Sequence, residues 1–215
     1  MLKALRASAL AAGLAFAAIV PANAALVTSI PGGSGVSIPA INYFGAGPQT
    51  IAPGITWSST NGGFQGGAVY GYTAGYGFSG NGFWSGGLGP MIGINSFTDS
   101  MTISFSNPVG AVGGFMNWAP GTGSASIAVY DTTNNLIESS PVSFSTGGGI
   151  DTGQFLGFTE NAAIIGSFVL SGAFIGMTDL TVGNTVASVP EPETLPLLVT
   201  GLLGLVVLRR KKKAS

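Results

Sequence analysis

Two glutamates, Glu138 and Glu160, are the only ones in the stretch from Ala25 to Ser188. They set the limit on what chemistry that stretch can do. A pair of carboxylates across a cleft can hydrolyse a glycosidic bond, one as acid and one as base or nucleophile. The chain has no histidine or cysteine, and its lysines and arginines lie only at the two ends. Ser-His-Asp triads, Cys-His pairs, Schiff bases and Ser-Lys dyads are therefore excluded from the middle. Glu138 falls in an expected edge strand and Glu160 in an expected Thr159-Glu160-Asn161 turn, and nothing in the sequence brings them together. The reading is a non-enzyme with no catalytic residues, and carboxylate glycosidase activity is the least favoured alternative.

The same acids could serve as hard oxygen ligands. Asp131 and Asp151 sit in loop-like settings beside Thr and Gly, and Asp179 lies near the end of the last expected strand. Oxygen ligands from separate loops can hold a structural Ca²⁺. These three are the candidate calcium ligands, although no Asp-x-Asp-x-Asp-Gly loop occurs. No other cofactor is expected.

Aromatic rings offer a third chemistry. Between Gly62 and Pro90, rings including Tyr70, Tyr72, Tyr76 and Trp84 are embedded among repeated glycines. Exposed rings of this kind could stack on the apolar face of a pyranose, which makes a carbohydrate-binding module for exopolysaccharide the main alternative function. The plainer expectation is an irregular stretch with an edge strand, its rings packed onto the rest of the domain.

The elements that would position these groups read as strands. Ser100 to Ser106 alternates, with Met101, Ile103 and Phe105 on one face, and Asn107-Pro108 should end it as a turn. Further strands are expected over Ala111 to Trp118, Ser124 to Tyr130, Leu136 to Ser140, Val142 to Ser145, Phe155 to Thr159, Ile164 to Ser171 and Phe174 to Val182. Asp131 to Asn135 reads as a hairpin loop. Many short strands without helices between them predict an all-β domain, an antiparallel β-sandwich. It should occupy residues 25–186 of the 215-residue chain. Six acids and no base lie between Ala25 and Ser188, so the domain cannot neutralise phosphates and nucleic acid is excluded as a partner.

The ends carry addresses. Residues 1–24 read as a signal peptide, with Lys3 and Arg6 in front, an apolar run from Leu10 to Val20, and the small-x-small site Ala22-Asn23-Ala24 for signal peptidase. Residues 187–215 hold Val189-Pro190-Glu191-Pro192, an apolar helix expected over 194–208, and the basic run Arg209 to Lys213. The apolar stretch Leu195 to Leu208 spans about 21 Å at 1.5 Å per residue, short of the about 30 Å of bilayer hydrocarbon. Its basic flank should stay in the cytoplasm. Two prolines hold Glu191 extended, as a protease-like cleft requires.

This three-part tail resembles the PEP-CTERM sorting signal of exopolysaccharide-producing Gram-negative bacteria. The resemblance implies that Pro190, Glu191 and Pro192 are recognised by an exosortase, a membrane enzyme that removes the tail. It also implies export, a transient single membrane span, and a final place at the cell surface or in the extracellular matrix of a biofilm. The strand succession from Ile103 onward is similar to the jelly-roll-like sandwiches of such exported proteins. A structural, non-catalytic matrix role follows as the leading expectation.

Overall fold

The computed structural model describes residues 24–60 and 67–184. Residues 1–23 of the expected signal peptide, the sorting motif and the expected C-terminal helix lie outside them. Among the described residues no helix is long and apolar enough to cross a membrane.

Numbered in chain order, sixteen strands among the described residues make two facing sheets and one small pair. One sheet runs β1 (Ala25–Val27), β14 (Gln154–Thr159), β11 (Ala111–Asn117), β16 (Gly176–Gly183), β9 (Met91–Ile94), β6 (Ala68–Tyr72) and β3 (Tyr43–Phe44). Strand β2 (Ser34–Val36) also pairs with β16. The second sheet runs β13 (Leu136–Val142), β12 (Ala125–Asp131), β15 (Ile165–Ser171), β10 (Ser100–Val109), β5 (Ile55–Ser59) and β4 (Gln49–Ala52). The small pair is β7 (Tyr76–Gly77) with β8 (Phe83–Trp84). All of these strand pairings are antiparallel, so the expected all-β class is present in sandwich-like form.

The alternation in sequence becomes the core. Met101, Ile103 and Phe105 of β10 and Ala125, Ile127 and Val129 of β12 face inward. They meet Tyr70, Ile92, Val112, Phe158 and Leu180 from the other sheet in one cluster. Phe158 and Phe168 touch edge to face across the gap, with centroids 6.4 Å apart. Burying such rings supplies most of the force holding two sheets together.

Several expectations need correction. Asn107-Pro108 does not end its strand: β10 continues to Val109. Pairing with β5 stops at Phe105 and the β15 register shifts between Ser104 and Val109. Pro108 therefore falls where no ladder donor is needed. Val142 to Ser145 is not a separate strand; Val142 closes β13. Beyond it, the carbonyl of Phe144 accepts from Trp118 Nε1 at 2.9 Å, and the N–H of Thr146 donates to Asn81 Oδ1 at 3.1 Å. Those backbone groups are committed to side chains rather than to a ladder. Ala68–Tyr72, a strand with no bounds of its own in the sequence reading, lies between β9 and β3.

Candidate functional site

The glycine-rich stretch builds an annex on the outer face of β6 and β9. Ala68, Tyr70, Ile92 and Ile94 point into the sandwich core, while Val69 and Met91 point outward. The outward pair forms a second cluster with Phe78 and Trp84, and Tyr72, Tyr76 and Leu88 pack against it. Strict alternation would put Tyr72 on the same face as Tyr70. A register shift between Val69 and Tyr72 coincides with Gly71, whose φ is +61°. That bulge sends Tyr70 inward and Tyr72 outward.

Asn81 ties the annex to the loop after β13. It is fully buried, its Nδ2 donates to Phe144 O at 3.3 Å, and its own carbonyl accepts from Thr146 Oγ1 at 2.8 Å and Asn117 Nδ2 at 3.0 Å.

The four expected stacking residues divide. Tyr70 is 0% exposed, stacks obliquely on Trp57 at 5.3 Å, and donates from Oη to Thr50 O of the opposite sheet at 2.7 Å. Burial raises its pKa. Trp84 is 1% exposed and donates from Nε1 to Gly89 O at 3.2 Å. Both rings are inside because each polar tip finds a carbonyl there, and neither offers a face to a sugar.

Tyr72 and Tyr76 instead line an open groove of about 360 Å³ with Phe44, Val69 and Asn95. Phe44, 44% exposed, meets Tyr72 edge to face at 5.7 Å, and Tyr72 meets Tyr76 at 6.4 Å. Tyr76 Oη donates to Ile94 O at 3.0 Å. Burial, then the neighbouring Tyr72, pushes its phenol well above the ordinary value, so it stays protonated. Sequence reading missed Phe44, because it reaches the groove through pairing of Tyr43 and Phe44 with Tyr70 and Val69 far along the chain.

The aspartates do not converge. Among the described residues no three acidic, histidine or cysteine side chains are grouped to hold a metal. Asp131 is occupied at its own turn: Oδ1 accepts from the N–H groups of Thr133 and Asn135, both at 2.8 Å, and Oδ2 from Asn135 Nδ2 at 2.9 Å. These bonds, Asn135's side chain foremost, lower its pKa to about 2. Asp151 Oδ1 accepts from Gly153 N at 2.6 Å, and Asp179 is exposed on β16.

The glutamates come within electrostatic reach of each other, a nearness that leaves no mark in the sequence. Glu138 lies on edge strand β13 opposite inward-facing Val129. Glu160 follows β14 and is 2% exposed, with neither carboxylate oxygen hydrogen-bonded among the described residues. Desolvation raises its pKa, and the charge of Glu138 adds to the effect. A substrate cannot reach a carboxylate so enclosed.

Comparison with known families identifies the tail. A family model for the PEP-CTERM protein-sorting motif matches residues 188–211. The chain carries a PEP-CTERM sorting motif. The match spans Pro190, Glu191 and Pro192 and most of the basic run. Such a motif implies export, sorting by an exosortase and membrane anchoring in a Gram-negative bacterium. No curated protein and no solved structure matches the chain.

Proposed function

We propose that this PEP-CTERM protein is a non-catalytic component of the cell surface or extracellular matrix, delivered by its sorting tail and released beside Pro190-Glu191-Pro192. The observation that carries the reading is the motif match at residues 188–211, joined to a domain without nucleophile–base pairs. The enclosure of Glu160 and the saturated hydrogen bonding of Asp131 support the absence of catalysis. In a host with its exosortase, Pro190→Ala with Glu191→Ala should leave full-length protein in the membrane fraction. Mass spectrometry showing unchanged release of a shortened chain would sink the reading.

The groove favours a second reading, an exopolysaccharide-binding module. Tyr72 lines the groove beside the polar Asn95 in an uncharged site, which suits a neutral sugar. On polysaccharide affinity gels the mature chain should be retarded. Tyr72→Ala should abolish the retardation, whereas Tyr72→Phe should keep it, since stacking uses the ring face. Equal mobility of all three chains with and without polysaccharide would leave the matrix role alone.

A further inference from the structure

The buried carboxylate of Glu160 lies beside the expected signal-peptidase site. Thr159 pairs with Ala25, Phe158 with Leu26 and Gly157 with Val27. One further step of that antiparallel register sets Ala24 opposite Glu160. Directly opposed residues put their Cβ atoms about 4.5–5.5 Å apart on one face. Both residues are buried, at 6% and 2% exposed. Neither oxygen of Glu160 has a partner among the described residues, and Glu138 of the other sheet adds like charge.

A carboxyl removed from water either keeps its proton or needs a cation or a set of donors to ionise. No Lys, Arg or His occurs from Ala7 to Leu208, so no side chain of the domain can supply one. The only cation the mature domain can make from its own atoms is a terminal α-ammonium.

We propose that Glu160 is the receptor for the α-ammonium of Ala25, so that removal of the signal peptide completes an ion pair between this buried carboxylate and the exposed end of β1. The proposal rests on the export reading and on cleavage after Ala24. Hydrolysis adds water across the Ala24–Ala25 peptide bond: the new carboxylate leaves with Ala24, and the nitrogen of Ala25, formerly a neutral amide, becomes a protonated amine. Departure of Ala24 vacates the buried position opposite Glu160. The ammonium has three N–H donors, enough to serve the β14 backbone and Glu160 together. Glu138 is the titratable neighbour that shares the field. Before cleavage Glu160 has no counter-charge among the described residues; after cleavage it has one, and β1 is pinned to the sheet edge.

The test compares the chain Ala25 to Ser215, released with a free N-terminus from a fusion partner in detergent, with the same chain preceded by Ala22-Asn23-Ala24. Each is made with Glu160 and with Glu160→Gln. The free-terminus form should have the higher thermal midpoint, and the difference should vanish in Glu160→Gln. The Ala25 amine should titrate above its ordinary value of about 8, and a one-unit rise would slow acylation at pH 7 about tenfold. That slowing should also vanish in Glu160→Gln. An equal effect of the extension in both backgrounds, or an ordinary amine in both, would overturn the proposal. So would a midpoint raised by Ca²⁺ and lowered by EDTA only when Glu160 is present, which would give the carboxylate to a metal. An exported N-terminus other than Ala25 would overturn it at the cleavage site and leave the sorting reading intact.

Discussion

The sandwich and the annex bury aromatic rings by different means. In the sandwich, Trp57, Tyr70, Phe158 and Phe168 lie between two broad sheets whose pairing is fixed by long ladders. In the annex, Phe78 and Trp84 are covered by two-residue strands, short 3-10 turns and the bonds of Asn81. The annex has no sheet of its own to lean on. Its floor is the outer face of β6 and β9, whose inner face belongs to the sandwich. Stability therefore flows one way: the sandwich can stand without the annex, and the annex needs the sandwich.

Replacing one tryptophan in each region would break this asymmetry if it is false. Trp57 is fully buried and its Nε1 donates to Met101 Sδ at 3.4 Å. Trp57→Ala should lower global stability by about 3–5 kcal/mol, read by urea denaturation. Trp84→Ala should open the annex locally. Hydrogen exchange should quicken over Tyr76 to Leu88 while β10 and β15 keep their protection. Equal loss of protection in both regions for both variants would show a single cooperative unit.

Gly71 sits where the two regions share a strand. Its φ of +61° suits glycine, and a Cβ there would run into the carbonyl oxygen of Pro39. Gly71→Ala should destabilise by more than about 1 kcal/mol, less than Trp57→Ala, and should disturb both faces of β6. Fluorescence of Trp57 and Trp84 ought to respond together in this variant alone. A response confined to one ring would mean that the bulge does not couple the regions.

The sandwich was far more legible in the sequence than the annex, and the reason is physical. Strands such as Ser100 to Phe105 and Ala125 to Val129 have one wet and one dry face, so burial prints itself as alternation. The early strands were less visible. The β4–β5 hairpin turns at Pro53-Gly54, a turn dipeptide that could have located it. β1 to β3 are only two or three residues long, too short to show a period. In the annex the glycines announced irregularity, but the facing of each ring depends on the Gly71 bulge and on distant carbonyls such as Thr50 and Gly89. Alternation cannot supply that information. The meeting of Glu138 and Glu160 was hidden for the same reason: it depends on how two sheet edges stack.

Acid offers the finest probe of the difference, because the two regions carry different charges. Residues 61–98 contain no Asp, Glu, Lys, Arg or His, so the annex has nothing to titrate between pH 2 and 8. The sandwich has Asp131, whose folded pKa of about 2 lies below its ordinary 3.8. A depressed carboxylate contributes stability that is fully present above the ordinary value and is lost as pH falls from about 4 towards 2. Glu160, raised by burial, acts in the opposite sense in the uncleaved chain: stability falls as pH climbs above its ordinary 4.5. Amides of Thr133 and Asn135 should therefore loosen between pH 4 and 2, measured by hydrogen exchange corrected for intrinsic rates, while those of Phe78 and Leu88, bonded within the annex to Gly82 O and Ser85 O, hold. Asp131→Asn should flatten the hairpin's response. If the annex loosened in step with the hairpin, the acids of the sandwich would be controlling both regions, and their independence would be lost.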